Sequence, residues 1–372
     1  MLFKKRVILS LFTVLLVLGS VLFAADFDND PRLNRYLEDL EARGSVPYQM
    51  GYVLEDMVRI DIEKTYPPAE YEITGGLEMA NAKGFALGEI DILVIRRSDG
   101  KAVLIGEAKM WKDQAAALKK AQSQLDRLKR VLKNGEVADF HYAPEPGRVF
   151  TLNQFSEPLK YETYGCRGAV KEGFDYEIDV TPAEGRWLCQ KLLDRFFQKE
   201  GYVDDPKLAE YVEFVKQLKW PSRSAKHTFI ACLIHDLQKT YPSDQFKVLQ
   251  DVHYSDETGA NLGHVKLMFR HGGGGGVALV CNAVFGWSNM KNAATIYNRY
   301  LCDFQTALAD NRIATLEADY PKGVTLEVTE FDGLLRYETF GPKGARQAGF
   351  SDELDLTDYQ IYYIRYAAFG QF

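Results

Sequence analysis

The sequence predicts an α/β protein made of two tandem copies of one domain, each a mixed central sheet flanked by helices, behind an N-terminal hydrophobic helix. Three observations predict it. Short motifs recur in one order at a near-constant offset. Apolar strand-like runs alternate with segments of helical periodicity. One long apolar run stands at the start of the chain.

The offset is the strongest of these. Lys64-Thr65-Tyr66-Pro67 returns as Lys239-Thr240-Tyr241-Pro242, and 239 minus 64 is 175. Leu87-Gly88-Glu89-Ile90-Asp91 aligns with Leu262-Gly263-His264-Val265-Lys266 at the same offset. Tyr161-Glu162-Thr163-Tyr164-Gly165 aligns with Tyr337-Glu338-Thr339-Phe340-Gly341, and Glu177–Thr181 with Glu353–Thr357; here 337 minus 161 and 353 minus 177 are both 176. A period this long means tandem domains rather than a solenoid. The expected layout is a signal peptide or membrane anchor over residues 1–25, a linker over 26–50 and a first copy over 51–200. A helical linker over 201–225 and a second copy over 226–372 complete it.

At the N-terminus, Lys4, Lys5 and Arg6 precede the apolar run Val7–Ala25, which ends before Asp26, Asp28 and Asp30. A basic segment followed by an apolar one is the pattern of an export signal. The run has 19 residues, enough for a helix to cross a hydrocarbon layer about 30 Å thick. Cleavage after Ala24 or Ala25 would place Leu22 or Phe23 three residues before the cut, and neither is small. The run is therefore read as an uncleaved anchor ahead of a removed signal. The basic flank places the body outside the cytoplasm, in the periplasm, at the cell exterior or secreted.

Further along, Arg32–Ala42 reads as a short helix. Val53, Leu54, Met57, Val58 and Ile62 recur at helical spacing, giving a helix over Gly51–Glu63 that Tyr66-Pro67-Pro68 ends. Tyr71–Thr74 reads as a strand. Ile90–Ile95 and Ala102–Gly106 are two apolar runs joined by a turn ending in Asp99-Gly100, hence a hairpin. Gln114–Leu132 is a long helix. Arg148–Asn153, Leu159–Thr163 and Tyr176–Val180 read as strands, and Pro182–Phe197 and Lys207–Leu218 as helices. In the second copy, Val265–Phe269 and Val277–Cys281 read as strands about the glycine run Gly272–Gly276. No Lys-Ser/Thr follows those glycines, so a phosphate loop is excluded.

Composition removes several function classes. A net charge of −7 excludes a chain coated in basic charge but leaves room for a local basic groove. The five cysteines form no CxxC pair and are odd in number, which excludes a zinc knuckle and a complete disulfide framework. His141 is the single histidine of the first copy, which argues against histidine-based metal chemistry there.

What remains is a charge cluster. Gly88-Glu89-Ile90-Asp91 opens the first hairpin strand and Gly106-Glu107-Ala108-Lys109 ends the second. Antiparallel pairing makes Asp91 and Glu107 cross-strand neighbours, and Lys109 shares the face of Glu107. Two carboxylates so placed repel and call for a cation. Mg²⁺ or Mn²⁺ takes oxygen ligands of this kind. Glu89 is expected to face away. The following helix carries Lys119, Lys120, Arg127, Lys129, Arg130 and Lys133 against Asp126 alone, a basic face suited to a phosphate backbone. Trp111 and Lys112 follow the cluster directly and are candidates for substrate contact, with Trp111 reading equally as a core residue.

This pattern resembles the PD-(D/E)XK nuclease superfamily, the fold of many restriction enzymes and Holliday-junction resolvases. Over roughly residues 51–132, Glu55 stands for the family's helix glutamate, Asp91 for its motif aspartate and Glu107-Ala108-Lys109 for its ExK; Ile90 stands where the named proline would be. The resemblance implies that Asp91, Glu107 and Glu55 hold Mg²⁺ or Mn²⁺ and that Lys109 positions or deprotonates the attacking water. It implies that Gln122 or Gln124 contacts substrate or water, and that the substrate is nucleic acid, DNA ahead of RNA. In the second copy Glu55, Asp91, Glu107 and Lys109 become Ile230, Lys266, Asn282 and Val284. That copy lacks the motif. A non-catalytic tandem module binding nucleic acid or protein is the alternative reading, and a hydrolase of another phosphate ester a third.

Overall fold

Asp30 starts the first helix, α1 (Pro31–Ala42). Its carboxylate accepts the Arg32 and Leu33 N–H groups, and Pro31 occupies the first turn, where no N–H is needed. The computed structural model describes residues 27–45, 50–83, 85–142, 148–156, 158–218, 224–273, 275–287, 289–331, 333 and 335–370. The apolar run of residues 7–25 lies outside them. Among the described residues no helix is long and apolar enough to cross a membrane. The fold is α/β with mixed sheets, and the chain divides into two compact units, residues 1–196 and 197–372.

In the first unit, Leu33, Leu37 and Leu40 of α1 are fully or almost fully buried, so the segment expected as a linker carries a packed helix. Helix α2 (Met50–Ile62) buries Val53, Leu54, Met57 and Val58, one apolar stripe at helical spacing. The chain continues through β1 (Tyr71–Thr74), β2 (Leu77–Ala80), β3 (Ala86–Ile90), β4 (Ile92–Arg96) and β5 (Ala102–Lys109). It then forms α3 (Gln114–Lys133), β6 (Asp139–Tyr142), β7 (Lys160–Gly165), β8 (Tyr176–Glu177) and α4 (Pro182–Lys199). The main sheet has the order β1-β4-β5-β7-β8, antiparallel through β5 and parallel beyond it. A smaller sheet has the order β3-β2-β6. Leu93, Ile95 and Ile105 of the main sheet pack against Leu125, Leu128 and Val131 of α3.

Three details differ from the sequence reading. The run Ile90–Ile95 is two strands in two sheets, broken at Asp91. Opposite the break, Gly76 takes a left-handed φ of 69° and donates its N–H to the Ile90 carbonyl at 2.9 Å. Residues 148–153 form no strand; a 3₁₀ turn over Leu152–Phe155 is closed by Thr151 and Gln154, and Phe150 and Phe155 are buried near Phe140. The strand expected at Tyr176–Val180 pairs only at Tyr176 and Glu177.

The second unit runs α5 (Pro206–Gln217), α6 (Ala225–Leu237), β9 (Phe246–Ser255), β10 (Asn261–His271), β11 (Val277–Ala283), α7 (Met290–Ala309), β12 (Thr315–Tyr320) and β13 (Val324–Leu326). It closes with β14 (Arg336–Gly341), α8 (Ala345–Ala348), β15 (Asp352–Glu353) and α9 (Asp358–Phe369). Its sheet has the order β13-β12-β9-β10-β11-β14-β15. The offsets of the sequence motifs return in the element bounds. Strand β9 covers the span of β1 and β2 shifted by 175 (246 minus 71, 255 minus 80), and β10 the span of β3 and β4 by the same shift (261 minus 86, 271 minus 96). Strands β14 and β15 are β7 and β8 shifted by 176 (336 minus 160, 352 minus 176).

Candidate active site

The break at Asp91 builds the site. Strand β4 pairs with β5 so that Ile92 faces Gly106, which brings Asp91 alongside the end of β5. The Asp91 Oδ2 accepts the Ala108 N–H at 3.1 Å and lies 3.2 Å from Lys109 Nζ. Lys109 Nζ also donates to Glu107 Oε1 and, at 3.1 Å, to the Ala108 carbonyl. Asp91, Glu107 and Lys109 therefore meet at one strand end, as the spacing predicts. Gly106 permits it, since a Cβ there would stand 2.6 Å from Tyr164 Cε2 and 2.9 Å from Ile92 Cβ.

Glu55 is close but is held differently. Arg59, one turn further along α2, donates from Nη2 to Glu55 Oε2 at 3.0 Å and to the Asp91 carbonyl at 2.6 Å. The same guanidinium reaches Asp56 at 2.7 Å through Nη1. Sequence reading misses Arg59, although the i,i+4 spacing of Glu55 and Arg59 is a known helical pairing. It also misses Gln114, whose Nε2 donates at 2.7 Å to the Trp111 carbonyl and to Cys166 Sγ, tying the start of α3 to the residue after β7.

Burial governs the charges. Glu107 is 0 % exposed, Asp91 7 % and Glu55 9 %. The Glu107 carboxyl is pushed up to about 8, first by burial and then by the Asp91 charge, against the pull of Lys109. Glu55 is pushed up to about 9 by burial and then by Asp91, with Arg59 opposing. Burial alone would lower Lys109, but Asp91 and Glu107 outweigh it and raise the ammonium above its ordinary value. Glu89 is also raised, by burial and then by Asp91. It lies within the field of the site.

The donor set suits a hard divalent cation. Glu107 Oε2 is buried and has no hydrogen-bond partner among the described residues, an orphan acceptor that a cation would satisfy. Asp91 and the Ala108 carbonyl are the neighbouring oxygens. Among the described residues no group of three or more His, Cys, Asp or Glu converges on one point, and Arg59 engages Glu55. The set is thus two carboxylates and a carbonyl.

The substrate-contact expectations fall on the helix and its approach. Lys112 and Trp111 are exposed in the turn before α3. Lys119, Gln122 and Arg127 are exposed and Gln124 half-buried on α3, together lining a surface concavity. Arg127 reaches back towards the Gly88-Glu89-Ile90-Asp91 segment, its Nη2 3.3 Å from where a Gly88 Cβ would stand. No hydrogen bond or ion pair among the described residues joins Lys112, Lys119, Gln122, Gln124 or Arg127 to Asp91, Glu107 or Lys109. Comparison with family models, curated proteins and solved structures found no match to this chain.

Proposed function

We propose that the chain is a divalent-metal-dependent nuclease of the PD-(D/E)XK kind, acting on phosphodiester bonds, in DNA ahead of RNA. One observation carries this reading: Lys109 bridges Asp91 and the fully buried Glu107, whose second oxygen has no partner among the described residues. Enclosing a carboxylate is unfavourable unless it is fully paired, so the burial of Glu107 supports a chemical role. Asp91 and Glu107, with the Ala108 carbonyl, would hold Mg²⁺ or Mn²⁺. When bound, the cation supplies Lewis acidity to the phosphodiester and acidity to water. Lys109 stays protonated beside two carboxylates, so it positions the attacking water and steadies charge on the phosphate rather than taking the proton. Glu55, steadied by Arg59, completes the acidic surround. The basic face of α3 holds the phosphate backbone.

We also propose that the two units are copies of one restriction-endonuclease-like domain, the second without the motif. The support is that their strands recur in one order at one near-constant shift. The apolar run of residues 7–25 supports a body held or released outside the cytoplasm.

The test is cleavage of plasmid and linear DNA by the full chain with Mg²⁺, Mn²⁺ or EDTA, beside Glu107→Ala. Metal-dependent cleavage that vanishes in the variant supports the reading. A folded, metal-binding chain that leaves both DNAs intact points to another phosphate ester. The absence of a converging third acid among the described residues favours one rival, a non-catalytic binding module, and a chain that neither cleaves nor binds metal would establish it.

A further inference from the structure

Around β9 and β10 the acidic positions of the first unit return as bases or amides. At the shift of 175 (253 minus 78), Glu78, Glu89, Asp91 and Glu107 become His253, His264, Lys266 and Asn282. The register matches as well: Glu78 pairs across strands with Glu89, and His253 with His264, whose rings lie 5.6 Å apart. Lys266 forms an ion pair with Asp251, and its N–H donates to Asn282 Oδ1 at 3.0 Å. Asp251 holds a left-handed φ of 48° where the first unit has Gly76. Such a backbone is uncommon for a residue with a side chain. Here it sets the carboxylate against Lys266.

Asn282 is 2 % exposed, and its Nδ2 has no acceptor among the described residues. An amide NH₂ offers two hydrogens, and burying them unmet is unfavourable. Helix α6 starts on its Ser224 cap, with Lys226 and His227 in the first turn and Ser224 Oγ 2.7 Å from His227 Nδ1. Lys226 and His227 are lowered first by burial and then by the Lys266 charge. His264 is lowered by burial and by His253 and Lys266, with Asp251 opposing. These bases come from three elements and act on one another. Cations in the first turn of a helix also oppose its dipole. Asp251, on Lys266, and Asp319, 3.1 Å from His253, are the carboxylates that face them.

We propose that Lys226, His227, His264, Lys266 and the Asn282 amide form a binding pocket for a phosphate oxyanion, free or within a nucleic-acid backbone. An anion there would accept from the ammonium, imidazole and amide donors together and offset the repulsion between the Lys226 and Lys266 charges. The nucleic-acid source rests on the nuclease reading of the first unit; the free-phosphate source does not.

Calorimetry on the full chain carrying Glu107→Ala, without metal, separates the two sources. Inorganic phosphate is one titrant and a dinucleotide with a single phosphodiester the other. Binding of either, weakened about tenfold or more by Lys226→Ala and by His264→Ala, is the expected result. Both substituted side chains reach the surface and are only partly desolvated, so the variants are expected to fold, and their melting curves check it. Binding of neither titrant, or binding unchanged in both variants, overturns the proposal. DNA cleavage by the wild-type first unit bears on neither outcome, so the two readings fail separately.

Discussion

Lys109 stands between Asp91 and Glu107, where the proposed cation would bind, so its removal separates the proposed metal binding from the proposed chemistry. Lys109→Met is expected to keep or tighten Mg²⁺ binding by calorimetry while cleavage falls about 10²–10³-fold, the loss typical for one charge-stabilising donor. Weaker Mg²⁺ binding would mean that the ammonium orders the carboxylates instead. Glu107 also makes stability depend on pH. Its carboxyl is raised to about 8 in the fold from an ordinary 4.5, so the folded state holds the proton more tightly than the unfolded state does. This contribution is full below the unfolded value and is lost as pH rises towards about 8. Glu55, raised to about 9, adds to the same trend. In EDTA, urea midpoints are expected to fall as pH rises across that window, and Glu107→Gln is expected to flatten the fall, because the amide mimics the protonated acid. An unchanged slope in that variant would remove Glu107 from the titration. Arg59 is hidden from sequence reading because its second contact, the Asp91 carbonyl, is 32 residues away and depends on the strand break.

At the level of elements, the helices are the most legible, since α2 and α3 show long apolar stripes at helical spacing, and their ends fall within a residue or so of expectation. The strands are less so. The small β3-β2-β6 sheet escapes sequence reading because its strands are four or five residues long and half-exposed, too short for periodicity to register. The break at Asp91 escapes it because Ile90–Ile95 is apolar on both sides of Asp91, and the residues packed opposite, Gly75 and Gly76, lie elsewhere in the chain. Gly75 is close-packed there, and an added Cβ would overlap the Asp91 carbonyl and the Arg59 guanidinium. Gly75→Ala is therefore expected to lower stability and to abolish Mg²⁺ binding together, by displacing both groups that set Asp91. Gly106→Ala overpacks against Tyr164 and Ile92 and is expected to cost about 1–3 kcal/mol in urea unfolding. If Gly75→Ala binds Mg²⁺ as the wild type does, the break does not position the ligand.

For the whole molecule, the acidic net charge and the basic helix pull in different directions. A chain of net charge −7 repels nucleic acid at long range, so the proposed nucleic-acid binding would come from the local face of α3 and is expected to weaken steeply with salt. The membrane reading rests on a separate region. Lys4, Lys5 and Arg6 ahead of 19 apolar residues favour retention of the basic end on the cytoplasmic side. Leu22 and Phe23 stand where a signal-peptide cut needs a small residue. The full chain is therefore expected to sediment with membranes, to resist extraction at alkaline pH, and to lose its body to protease added from the outer side. A soluble chain beginning at Ala25 or Asp26 would show a removed signal and overturn the anchor. A chain protected from external protease would overturn the orientation, and would place the candidate nuclease on the side where the cell keeps its own DNA.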